Sequence, residues 1–306
     1  MRVLVTIPFT NAQKHRLSRY SNDVEYIKMA DVQPHDVADK EVIIGNIPKE
    51  LIQHAKNLKW LQLSMSGYEG YPERMPEGAA LTNSRGAFGL AISEHMLGML
   101  LMLKKRLHQY HDNQKKALWQ PMGTVTSVFE STVLIVGLGN IGLEFAKRVK
   151  ALGAYTIGIK RDISNKPECI DEIYTLDKLD ELIPRADVIA LTVPNNPDTY
   201  KLMNEKRIYL MKQGAVLLNV GRGVLVDTDA LNKALSEGRI MAGLDVTDPE
   251  PLPDSHPLWK QENCIITPHI SGFFYLPKTL EYIVEIALDN MARYAEGKQL
   301  NNIIKS

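Results

Sequence analysis

The run Thr132-Val-Leu-Ile-Val-Gly-Leu-Gly-Asn-Ile-Gly142 reads as a strand, a glycine turn and the start of a helix. Its first five residues carry no polar break beyond Thr132, the pattern of a strand buried on both faces. Gly137 permits a tight turn, Gly139 lets backbone come close to a bound pyrophosphate, and Gly142 allows the helix to pack on the strand. Free N–H groups at Asn140 and Ile141, with the positive end of the helix dipole, would face the phosphates. A glycine triplet alone is weak evidence. Set between a strand and a helix pattern, it predicts a dinucleotide-binding unit.

The same alternation extends outward in both directions. Upstream, Val3–Ile7, Val42–Ile44 and Leu58–Leu63 read as buried strands, and Ile92–His111 as one long helix with a basic C-terminal end. Downstream, strands are expected at Tyr155–Ile159, Val188–Thr192, Ala215–Asn219 and Cys264–Thr267, with helices at Leu143–Leu152, Asp229–Glu237 and Leu280–Glu296. Repeated strand–helix units imply α/β architecture with doubly wound parallel sheets. The dinucleotide unit begins near Leu100, so the first hundred or so residues form a separate domain. Pattern alone leaves open which of the two domains the final helix joins.

Composition narrows the function classes. The chain has 306 residues, 44% apolar and 24% charged, with 36 basic and 36 acidic side chains giving a formal net charge of zero. Such a balance gives no reason to expect a nucleic acid or an anionic membrane as partner. The opening MRVLVTIPFT is too short an apolar run for a signal peptide, and Leu97–Leu103 is too short for a membrane span. Cys169 and Cys264 lack metal-binding or pairing spacing and read as buried structural thiols of a cytoplasmic protein. No metal site is expected.

Three later segments each set a reactive side chain at a strand end: Arg222 between Gly221 and Gly223, Glu250 in Leu244-Asp-Val-Thr-Asp-Pro-Glu250, and His269 in Thr267-Pro-His-Ile-Ser271. Ligands of open parallel sheets sit beyond the carboxyl ends of strands, so these groups are expected to face one crevice. Reduction of a 2-keto acid needs such a set. A histidine delivers the proton to the carbonyl oxygen, a carboxylate orients the imidazole and favours its protonated form, and an arginine supplies fixed positive charge. At the end of the second cofactor strand, where an acid would hold an adenine ribose, the chain has Lys160 and Arg161, with Asp162 one step later. A cationic pair there favours NADP over NAD.

Taken together, GLGNIG, NVGRGVLVD, LDVTDPEPLP with HPLW, and TPHISG resemble the D-isomer-specific 2-hydroxyacid dehydrogenase family along essentially the whole chain. The resemblance implies two Rossmann-like or flavodoxin-like domains, 1–98 with 276–306 for substrate and 99–275 for the dinucleotide, with the active site in a cleft between them. It implies an oxidoreductase of small 2-keto and D-2-hydroxy acids, glyoxylate or hydroxypyruvate foremost, and a homodimer formed through the cofactor domain. Arg222 would bind and polarise substrate, His269 would be the acid/base and Glu250 its partner. Asp245 would contact the nicotinamide carboxamide, with Val193, Pro194, Asn219, Val220 and Gly221 also lining the cofactor. Ser66, Gly67 and Tyr68 match the loop whose backbone holds the substrate carboxylate, although the family often has smaller residues where Tyr68 and Tyr71 stand.

Two alternatives remain in view. A short phosphoglycerate dehydrogenase would share these motifs, but no further domain is expected beyond Asn301 and no basic cluster suits a substrate phosphate. A nucleotide-sensing corepressor-like protein would share the fold, yet would have no need of Arg222, Glu250 and His269 together. His95 reads as a helix-packing residue.

Overall fold

The computed structural model describes residues 1–304. It divides into two compact units, Met1–Ala87 with Phe274–Ser306, and Phe88–Phe273. A division at 98/99 would fall inside the helix Gly89–Lys105, which lies whole within the second unit.

In the first unit, β1 (Arg2–Val5), β2 (Asp23–Tyr26), β3 (Val42–Ile44), β4 (Trp60–Gln62) and β5 (Ala80–Thr82) pair in the order β2-β1-β3-β4-β5. All pairs are parallel, and the order is that of a flavodoxin-like sheet. The central strands are continuously apolar because both faces are covered: Val42, Ile43 and Ile44 are fully buried. Leu4, Ile43, Ile47, Leu61 and Leu81 share one core.

The C-terminal helix Pro277–Ala295 belongs to this unit. A buried polar network fastens it. Asn290 donates to Gln62 Oε1 at 2.8 Å and accepts from the Asn301 amide at 2.7 Å. Thr82 Oγ1 also donates to Gln62 at 2.8 Å, and accepts from the Trp60 indole at 2.8 Å. The Trp60 ring stacks on Tyr294, centroids 5.5 Å apart.

In the second unit, β6 (Thr132–Val136), β7 (Tyr155–Ile159), β8 (Glu172–Tyr174), β9 (Val188–Leu191), β10 (Val216–Asn219), β11 (Met241–Leu244) and β12 (Cys264–Ile266) form a parallel sheet in the order β12-β11-β10-β9-β6-β7-β8. The chain leaves β6 in one direction to β7 and β8 and returns on its other side at β9. That reversal between β6 and β9 is the switch point where dinucleotides bind in doubly wound sheets. The expected fold class is therefore observed, and four strands come in addition to those expected.

Two expectations are corrected. The long helix expected over Ile92–His111 is two helices, Gly89–Lys105 and Leu107–Lys115, broken where Arg106 adopts φ 56°. The left-handed residue ends the first helix and redirects the chain. The two cysteines are unpaired but half-buried rather than fully buried, and burial pushes the Cys264 thiol up to about 12. No helix among the described residues is long and apolar enough to cross a membrane.

The Asn290 network yields a stability prediction. Asn290→Ala strands the Asn301 amide and removes a donor to Gln62, and a buried group left unsatisfied costs about 2 kcal/mol. Chemical denaturation should show a loss of that order. An unchanged midpoint would show that packing alone fastens the helix.

Candidate active site

The glycine turn has the geometry that the sequence calls for. Gly137 has φ 104°, and a Cβ on Gly142 would lie 2.0 Å from the Gly137 carbonyl oxygen, so no side chain fits between turn and helix. Thr192 Oγ1 donates to that carbonyl at 2.6 Å, and Val193 lies against Gly137. The helix Asn140–Ala151 starts with no side-chain cap from Gly139, and space around Gly139 is open. Uncapped amides at Asn140, Ile141 and Gly142 beside open space fit a bound pyrophosphate.

At the end of β7, Lys160 is half-buried and Arg161 exposed. Neither side chain makes a hydrogen bond or ion pair among the described residues. Asp162 is committed elsewhere: its carboxylate accepts from the Ser164 amide at 3.0 Å. The Ser164 hydroxyl and amide, with Lys160 nearby, hold its pKa below the usual carboxylate range.

Arg222 follows β10 on a turn wedged between two neighbouring loops. A Cβ on Gly221 would lie 2.6 Å from the Val193 carbonyl oxygen, and one on Gly223 would lie 1.8 Å from the Thr247 carbonyl oxygen. Glycine on both sides of the arginine is thus a packing requirement. Asn219 clamps the turn from below, accepting from the Gly221 amide at 3.1 Å and donating to the Arg222 carbonyl at 2.9 Å. The Arg222 guanidinium donates to the Gly221 carbonyl at 2.8 Å.

His269 and Glu250 meet at this end of the sheet, Nδ1 to Oε1 2.6 Å, both about half exposed. His269 holds φ 53°, a left-handed conformation uncommon outside glycine. Asp245, at the end of β11 and 1% exposed, imposes it. The Asp245 carbonyl accepts from the His269 amide at 2.8 Å. Its carboxylate accepts from Thr267 Oγ1 at 2.6 Å, the Ile270 amide at 3.0 Å, the Ser271 amide at 3.1 Å and the Ser271 hydroxyl. The loop bearing Glu250 is pinned in turn by Thr228 Oγ1 on the Asp248 carbonyl, 2.7 Å, and Thr247 Oγ1 on that of Pro249, 2.9 Å.

In the first unit, the loop after β4 is fixed by Asn83, which donates to the Ser66 carbonyl at 2.7 Å, and by Asn46, which accepts from the Ser64 amide at 3.1 Å. The Ser66 and Gly67 amides have no partner among the described residues. The Tyr68 amide donates to its neighbour Glu69 at 2.9 Å, so a carboxylate already rests on this turn.

Residues 97–271 match the family model described as "D-isomer specific 2-hydroxyacid dehydrogenase, NAD binding domain". The chain is 31% identical over 86% of its length to a glyoxylate reductase of Thermofilum pendens, covering 80% of that protein. The chain belongs to the D-isomer specific 2-hydroxyacid dehydrogenase family. A family protein of Aeromonas salmonicida superposes with a TM-score of 0.86 at 31% identity, covering 99% of each chain. A D-lactate dehydrogenase of Aquifex aeolicus, solved with NAD and lactic acid, gives 0.76 at 26% identity, covering 97% of this chain and 96% of that one. The protein is accordingly an oxidoreductase acting on CH–OH groups with a nicotinamide cofactor.

Within this dehydrogenase the second unit brings together the glycine turn, Val193, the Asn219–Gly221 backbone, Arg222, Asp245, Glu250 and His269 at the carboxyl ends of its strands. Asp245, expected to contact the cofactor, has both carboxylate oxygens bonded by Thr267, Ile270 and Ser271. Thr267 and Ser271 were not singled out from sequence. Their signal was available, since a hydroxyl two residues either side of His269 can fold back on a common acceptor.

Asp245→Ala should release the turn that aims His269. Misplacement of a reacting group by about 1 Å costs on the order of a hundredfold, so kcat should fall by that order while the protein still folds. Steady-state kinetics with circular dichroism would check it, and undiminished kcat would refute the positioning role.

Proposed function

We propose that this dehydrogenase reduces small 2-keto acids of the glyoxylate or hydroxypyruvate type to D-2-hydroxy acids, with NADPH preferred to NADH. The 2.6 Å contact between His269 Nδ1 and Glu250 carries the reading. With Glu250 taking Nδ1–H, the second ring nitrogen of the imidazolium is left to give its proton to the carbonyl oxygen. The Arg222 guanidinium draws electron density from that oxygen and balances the substrate carboxylate. The Ser66 and Gly67 amides, without a partner among the described residues, are proposed to hold a substrate carboxylate, with Tyr68 beside them. When bound, the reduced nicotinamide supplies the hydride. In the reverse direction His269 accepts the hydroxyl proton. The Thermofilum pendens relative, by its name, supports glyoxylate as a first substrate to try.

The NADPH preference rests on Lys160 and Arg161, whose side chains make no hydrogen bond or ion pair among the described residues, and on Asp162 being held by Ser164. A 2′-phosphate would meet positive charge there. Assembly is proposed as a homodimer through the second unit, where Trp119 is fully exposed with Leu107, Leu118 and Phe129 also open to solvent, an apolar set that suits a second copy. Its place is proposed to be the cytoplasm.

Three outcomes are expected. His269→Gln should lower kcat with glyoxylate at least a thousandfold, and turnover within tenfold of the parent would sink the proton-donor assignment. Lys160→Glu/Arg161→Glu should raise KM for NADPH at least tenfold while leaving that for NADH little changed. A parent enzyme that prefers NADH would remove the NADP reading and leave the mechanism intact. Trp119→Glu should sediment as a monomer where the parent sediments as a dimer, and a parent that is itself monomeric would refute the assembly.

A further inference from the structure

His95 lies in the helix Gly89–Lys105, outside the groups assigned above to substrate and cofactor. Its Nε2 is 3.0 Å from Thr267 Oγ1 and 3.9 Å from Asp245 Oδ1, and the side chain is 24% exposed. A threonine hydroxyl has one hydrogen, and Thr267 gives its hydrogen to Asp245 Oδ1 at 2.6 Å. Thr267 Oγ1 can therefore only accept from His95, which fixes a proton on Nε2. The result is a directed chain from His95 Nε2–H to Thr267 O–H to the Asp245 carboxylate.

That chain ends on the acceptor that shapes the turn around His269. The Asp245 carbonyl takes the His269 amide and its carboxylate takes the amides of Ile270 and Ser271. Thr267 sits two residues before His269, so its rotamer sets where the turn leaves β12. A hydroxyl held from both sides has one orientation, whereas a hydroxyl bonded on one side can rotate away.

We propose that His95 is a positioning residue of the dehydrogenase. It donates to Thr267, locks the Thr267–Asp245 bond and so aims the imidazole of His269. This inference rests on the reading of His269 as proton donor. It adds a requirement at a helix remote in sequence: position 95 must present a neutral or charged donor at the place of Nε2, which Gln supplies and Leu does not.

The test is steady-state kinetics of the full chain with NADPH and glyoxylate, alongside thermal unfolding. His95→Leu is expected to lower kcat at least tenfold with KM for glyoxylate within twofold of the parent. His95→Gln should keep kcat within threefold. Thr267→Val should lose as much as His95→Leu, and the double variant no more than either, because both cut one chain of bonds. A purely structural role would lower the melting point without rescue of kcat by Gln. Should His95→Leu fail to fold, Thr267→Val and His95→Gln decide: loss in the first with retention in the second supports the proposal. Retained kcat in His95→Leu or Thr267→Val, or equal losses in Gln and Leu, overturns it. A parent enzyme that turns over no 2-keto acid would instead refute the functional reading on which the inference stands.

Discussion

The buried carboxylate of Asp245 is the interaction on which the chemistry of the second unit depends. A carboxylate at 1% exposure is tolerable only when its lone pairs are satisfied. Here every donor comes from the five residues Thr267–Ser271 or is relayed through Thr267. Satisfying the carboxylate and bending that segment into a turn are one event. His269 sits inside the turn at φ 53°, a conformation that the surrounding bonds over-determine. The cost of burying a charge and the strain at one residue are both offset by the same set of hydrogen bonds.

A second constraint is steric. The loops after β9, β10 and β11 crowd one another so closely that Gly221 and Gly223 touch backbone on both flanks of Arg222. The parallel sheet supplies the register, since all strand ends that carry Arg222, Glu250 and His269 emerge on one side. The phosphate turn on β6 emerges on that side as well.

Much of this was legible in the sequence because it depends on local pattern. Buried central strands such as Thr132–Val136 and Tyr155–Ile159 fall at the expected residues, since burial on both faces demands an unbroken apolar run. Three of the strands that the apolar pattern does not mark, Asp23–Tyr26, Ala80–Thr82 and Glu172–Tyr174, are edge strands, short and with polar residues at alternate or outer positions. Met241–Leu244 is masked by Gly243, where a Cβ would lie 2.9 Å from Leu218 and 3.1 Å from Met99, too close for a side chain to fit without a shift. The break at Arg106 was invisible because apolar and basic periodicity continues through it.

The sequence by itself determined the dinucleotide turn, the parallel sheets, and the order Arg222, Glu250, His269, because glycine spacing and strand ends are read residue by residue. It also put a cation where an acid often stands after β7. Tertiary structure alone decided that Asp245 is enclosed by Thr267, Ile270 and Ser271, that Asp162 serves Ser164, and that His95 reaches Thr267 across 172 positions of chain. Hydrogen bonds between side chains are settled by which elements pack together, and that packing comes from the summed burial of many apolar residues. No single residue type or spacing encodes it.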